Sequence, residues 1–118
     1  MISGEARRYL ADFISTNTRR ELGRGPVGVK VGASGDLVIV EIHGFMTPLE
    51  RVLVKHGRNH EWVVRIRQLL VENLASVWEE AFNNVGLSVK EVTSEVDVKQ
   101  NKQTITFRVA ELNTMVGP

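Results

Sequence analysis

Apolar residues recur at helical spacing over residues 59–86, and the rest of the chain is organised around this stretch. Trp62, Val63, Ile66, Leu69, Leu70, Leu74, Val77, Trp78, Ala81, Phe82 and Val85 follow one another mostly in steps of three and four. Asn59 stands where a cap is expected and Gly86 where a left-handed terminator is expected. At ~1.5 Å per residue such a helix is roughly 39 Å long, enough to cross a small domain. With Trp62 at zero and ~100° per residue, Leu69 falls near −20°, Ile66 near 40°, Leu74 near 120°, Trp78 near 160° and Phe82 near 200°. The arc spans roughly 220°, wider than the ~100° one sheet face can cover. Either a second helix of the chain covers one edge, or an edge carrying Trp62, or Trp78 and Phe82, is an oligomer interface.

The remaining pattern divides cleanly. Ala6, Tyr9, Leu10, Phe13 and Ile14 form a helical stripe over residues 3–21, with Ser3 as cap and Glu5 in the first turn. Residues 27–31 alternate as a strand, residues 32–36 read as a turn, and residues 37–43 form a second strand. The run Leu37-Val38-Ile39-Val40 predicts burial on both faces of that strand. Thr47-Pro48-Leu49-Glu50 is a helix start with a capping box. Leu49, Val52 and Leu53 give that helix a short apolar face, and His56-Gly57 ends it. Leu87 and Val89 lie on one strand phase while Val92 and Val96 lie on the other, so a bulge is predicted near Lys90-Glu91. After a polar turn at residues 99–103, residues 104–112 alternate as a last strand, and residues 115–118 read as a loose tail. The order α-β-β-α-α-β-β predicts an α+β two-layer sandwich. It has a four-stranded, mostly antiparallel sheet with the long helix packed on one face, in a single domain over residues 1–118.

Charge and composition narrow the function. Lys plus Arg is 15 against 14 for Asp plus Glu, so no basic surplus argues for nucleic acid. The absence of cysteine removes disulfides, thiolate metal sites and thiol nucleophiles, and fits the cytoplasm. No apolar run approaches the ~20 residues of a membrane span and no signal-peptide core is read at the N-terminus. A soluble protein is therefore expected, reaching a membrane only through a partner. His43, His56 and His60 lack metal-ligand spacing, and no nucleophile motif is present. No catalytic residue, metal or cofactor is expected.

Two arginines carry the candidate chemistry. Gly23 and Gly25 flank Arg24 ahead of Pro26, which makes either a stiff helix-to-strand connector or an anion-facing loop. Arg67 falls near 140° on the long helix, inside the apolar arc at ~100° per residue. A charge there must pair with an acid such as Glu95 or Glu41, snorkel outward, or meet a ligand or subunit. The candidate ligand site is therefore Gly23, Arg24, Gly25 and Arg67, and the candidate interface residues are Trp62, Trp78 and Phe82.

The pieces Leu22-Gly23-Arg24-Gly25-Pro26, Val38-Ile39-Val40, Gly44, Thr47-Pro48 with Glu50, Ile66-Arg67 with Leu70 and Leu74, Ser94-Glu95 and Ile105 with Phe107 together resemble the MpsC family. That family was formerly a domain of unknown function and is named for a component of a sodium-translocating, membrane-potential-generating system. At position 95 the family pattern has an aspartate where this chain has Glu95. The resemblance spans residues 6–111. It implies an association with membrane subunits for cation and inorganic-carbon transport, and it supplies no established catalytic residues to carry over. Two functions follow as expectations. One is a non-enzymatic, homo-oligomeric accessory protein at the inner face of a membrane, held there by transport subunits. The other is a small-ligand sensor that binds an anion or nucleotide at Arg24 and Arg67.

Overall fold

The computed structural model describes residues 2–112. Helix α1 (Gly4–Leu22) leads through a glycine loop into the hairpin β1 (Gly28–Ser34) and β2 (Leu37–His43). Helix α2 (Pro48–Leu53) and a single 3-10 turn (Lys55–Gly57) precede the long α3 (His60–Asn84). A second hairpin, β3 (Leu87–Asp97) and β4 (Lys102–Glu111), completes the domain. The four strands form one antiparallel sheet in the order β1-β2-β4-β3, so the two hairpins meet along β2 and β4. Both α1 and α3 lie against the sheet. This is the α+β architecture that the hydrophobic pattern predicts.

Local chemistry explains most boundaries. The Ser3 hydroxyl accepts the Ala6 N–H at 3.0 Å and starts α1. Gly23 ends it in the left-handed region at φ 73°. The register slips between Val89 and Glu91, placing the predicted bulge at Lys90. That slip lets Leu87 and Val89 share the inner face with Val92 and Val96.

Three expectations are corrected. Residues 32–34 belong to β1 rather than to a turn, because Gly32, Ala33 and Ser34 pair with Ile39, Val38 and Leu37. The reversal needs only Gly35 and Asp36. Strand β2 is fully buried on one face only, through Val38, Val40 and Ile42, while Leu37, Ile39, Glu41 and His43 are half-exposed. Among the described residues no second layer covers that outer face, where Glu41 lies 3.6 Å from Lys102 and 3.4 Å from His43. Asn59 does not cap α3 with its side chain. It takes φ 59°, which asparagine tolerates better than most residues, and its Nδ2 donates to the Leu53 carbonyl at 2.8 Å. His56 at φ 65° and Gly57 at φ 72° share the reversal between α2 and α3. The tail expected at residues 115–118 lies outside the described residues.

The core joins both helices to the sheet. Leu10 and Ile14 of α1, Val63, Ala81 and Phe82 of α3, and Val40, Ile105 and Phe107 of the central strands have no exposed surface. Phe107 is the centre of an aromatic group, 4.5 Å from Phe82 and 6.4 Å edge-on from Trp78.

Candidate functional site

The capping box of α2 does two jobs. Glu50 Oε1 accepts the Thr47 N–H at 2.9 Å while the Glu50 N–H donates to Thr47 Oγ1 at 3.3 Å, as a box requires, and Oε1 also accepts the Thr47 hydroxyl at 3.0 Å. The same carboxylate receives Arg67 of α3, with Nε to Oε2 at 2.9 Å and Nη2 to Oε1 at 2.6 Å. Arg67 Nη2 also donates to the Phe45 carbonyl at 2.6 Å, and the Phe45 ring lies 4.6 Å from the guanidinium carbon. Both charged side chains are 5% exposed. A planar fork matched to a carboxylate is the geometry in which a buried ion pair can offset its desolvation. The pair therefore works as a bracket. It fixes the six-residue α2, too short to hold its own shape, against α3.

Glu50 is the acid that sequence reasoning did not single out for Arg67. Its box position was legible, but its approach to Arg67 depends on the fold-back of the chain between α2 and α3. Glu95 and Glu41, the two acids named from sequence, lie elsewhere. Glu41 is held on the outer sheet face, and Glu95 stands exposed on β3.

Arg24 and Arg67 line one pocket, with Thr18, Leu22, Pro26, Leu70, Leu74, Trp78 and Gln103 among its walls. It encloses about 20 Å³, room for one water molecule and far too little for a nucleotide in this conformation. Its polar groups are few. Arg67 has five N–H donors, of which Glu50 and Phe45 take three, which leaves the two on Nη1. The Thr18 hydroxyl is buried without a partner among the described residues, and Gln103 Nε2 donates to Ser94 Oγ at 3.1 Å. Arg24 is exposed and forms no ion pair among the described residues. The two glycines beside it do not line the pocket. Gly23 is the left-handed terminator of α1. At Gly25 a β-carbon would come within 3.0 Å of the Arg19 guanidinium, so its lack of a side chain makes room for Arg19.

The candidate interface residues separate. Trp78 and Phe82 are buried within the chain: Trp78 Nε1 donates to Asn17 Oδ1 of α1 at 2.8 Å, and the Phe82 ring packs against Phe107 at a tilt of 40°. Helix α1 is thus the second helix that covers one edge of the wide apolar arc, which takes Trp78 and Phe82 away from any interface. Trp62 stays 61% exposed, with Leu69 at 39% on the same side of α3. The apolar face expected for α2 points outward, since Leu49 is 68% and Val52 67% exposed while only Leu53 turns partly inward. Facing Glu50 toward Arg67 forces this rotation. At ~100° per residue, Leu49 and Val52 lie roughly 100° and 160° away from Glu50 on the helix.

Among the described residues no helix is long and apolar enough to cross a membrane. No curated protein and no solved structure matches the chain. A family match covers residues 3–111, nearly the whole chain, and takes in the glycine-arginine loop, the α2 capping box and Arg67. The family is described as "Na+-translocating membrane potential-generating system (MpsC)", and this chain belongs to it.

Proposed function

We propose that this chain is a non-enzymatic accessory protein, homo-oligomeric and cytoplasmic, that binds the membrane subunits of a Na+-translocating system. One observation carries the reading. Four of the six large hydrophobic side chains exposed among the described residues fall between positions 49 and 69, on α2 and the first half of α3. Exposed apolar residues gathered on neighbouring elements mark a protein-binding surface better than the same residues scattered singly. The Glu50–Arg67 bracket presents Leu49 and Val52 on a fixed helix, which limits the ordering cost of binding. The test is co-purification of the tagged chain with the system's membrane subunits from detergent extracts. The wild type should retain them. The Leu49→Asp/Val52→Asp variant should fold normally and lose them, because both side chains already face water. Equal retention by the two proteins, or by neither, contradicts the reading.

A second reading, an anion sensor, draws on the pocket that Arg24 and Arg67 share. A compact anion would take up the free Arg67 donors, the Thr18 hydroxyl and the Arg24 charge. Thr18→Val separates it from a dry pocket. Replacing an unpartnered buried hydroxyl by a methyl should raise stability by up to about 1 kcal/mol in a dry pocket. If an anion binds there, the variant should instead lose the rise in melting temperature that the anion gives the wild type, as should Arg24→Ala. At a hundred times its Kd such a ligand adds about 2.7 kcal/mol. A screen of compact inorganic anions by thermal shift reads both outcomes.

A further inference from the structure

Burial of Trp78 and Phe82 leaves α3 with a narrow second stripe on its water side. Trp62 and Leu69 are exposed there and Ile66 is half-exposed, at positions i, i+4 and i+7. Such spacing puts the three on one line down the helix. Asn73 continues the line, and its Nδ2 donates to the Leu69 carbonyl at 2.7 Å, so its amide is satisfied within its own helix. The stripe could therefore be covered without stranding that amide.

The charges beside the stripe are not symmetric. With Trp62 at zero and about 100° per residue, Arg65 and Glu72 lie near −60° and −80°, on the same flank. The opposite flank carries Ile66, Leu70 and Val77 and no exposed charge. When two copies of one helix pair in parallel, opposite flanks meet, and here that would set Arg65 and Glu72 against apolar side chains. In an antiparallel pair the same flanks meet. Arg65 and Glu72 are seven positions apart with Leu69 close to their midpoint. A two-fold axis near Leu69 then places Arg65 of each copy beside Glu72 of the other, and sets Leu69 over its own copy. The same register sets Glu61 opposite Ser76.

We infer that a second copy of this chain covers the Trp62–Ile66–Leu69 stripe, with the two α3 helices antiparallel and paired about Leu69. This rests on the homo-oligomeric reading above and gives it a face and a register. The occupant is the chain itself, because one helix holds both halves of the complementary charge set. The arrangement leaves Leu49 and Val52 of each copy on α2 for a different partner.

Sedimentation equilibrium of the purified full chain across the micromolar range tests it. The wild type should approach twice the 13.2 kDa chain mass. Leu69→Asp should stay monomeric and, being at an exposed site, keep its circular dichroism. Arg65→Glu and Glu72→Arg should each shift dimerisation to at least tenfold higher concentration, and the double variant should restore it. Seven positions separate the two residues, so no contact within one helix can produce that rescue. A wild type that is monomeric throughout overturns both this inference and the homo-oligomeric reading. A dimer unaffected by Leu69→Asp overturns the face alone, and loss without rescue by the charge swap overturns the antiparallel register. The wild-type and Leu69→Asp masses thus tell a failed face from a failed oligomer.

Discussion

Arg67→Leu is expected to destabilise the domain by at least ~3 kcal/mol, because it leaves Glu50 buried and ionised with its partner gone. The structure makes that outcome specific. Glu50 would keep its two contacts to Thr47 but lose the fork from Arg67, inside an environment where its side chain is 5% exposed. The Phe45 carbonyl would lose its 2.6 Å donor in the same step, and the Phe45 ring its stacked cation. Leucine fills much of the space, so the loss reflects stranded charge more than a cavity. Urea denaturation reads it as a lower midpoint at unchanged slope. A neutral or stabilising result would mean that the Glu50 carboxylate reaches water at little cost, and that Arg67 is spare for a ligand.

Phe107→Ala is expected to cost a further large amount, about 3–5 kcal/mol. Phe107 has no exposed surface and sits between Phe82 of α3 and the edge of Trp78. Removing it opens a cavity where the two central strands meet the long helix, and it dissolves two aromatic contacts worth about 0.5–1.5 kcal/mol each beyond their area. A domain of this size has about 5–15 kcal/mol in all, so the variant should melt well below the wild type. Phe107→Leu should avoid more than half of that loss, since it keeps most of the buried volume. Calorimetry on the three proteins gives the comparison. A loss under about 1 kcal/mol for the alanine variant would show that the core collapses around the gap.

The fold was readable where one short stretch settles the matter. Seven turns of apolar spacing could only be a long helix, and the Thr47–Glu50 box fixed the start of α2 to the residue. The opposed phases of Val89 and Val92 located the bulge because a strand's period of two allows no other account. What escaped sequence reading depends on packing between elements. The wide arc of α3 showed that something must cover an edge, but not that α1 covers the Trp78 edge and leaves Trp62 in water. Leu49, Val52 and Leu53 read as one short apolar face, and a short helix is normally anchored by its apolar side. Here a buried ion pair anchors α2 instead and turns that side out. Arg67 was legible as a charge that needed a partner, while Glu50 was already accounted for as a cap. The identity of the pair follows only from the three positive-φ residues His56, Gly57 and Asn59, which fold α2 back onto α3.

The central claim is that the Glu50–Arg67 pair is the structural bracket that holds α2 against α3. A double-mutant cycle by urea denaturation on Glu50→Leu, Arg67→Leu and the double variant tests it most directly. Each single change should cost at least ~3 kcal/mol, because each strands a buried charge. The double variant strands neither, and should lose about 2–3 kcal/mol less than the sum of the singles. Costs that simply add, with the double variant as unstable as the two singles combined, would contradict the account.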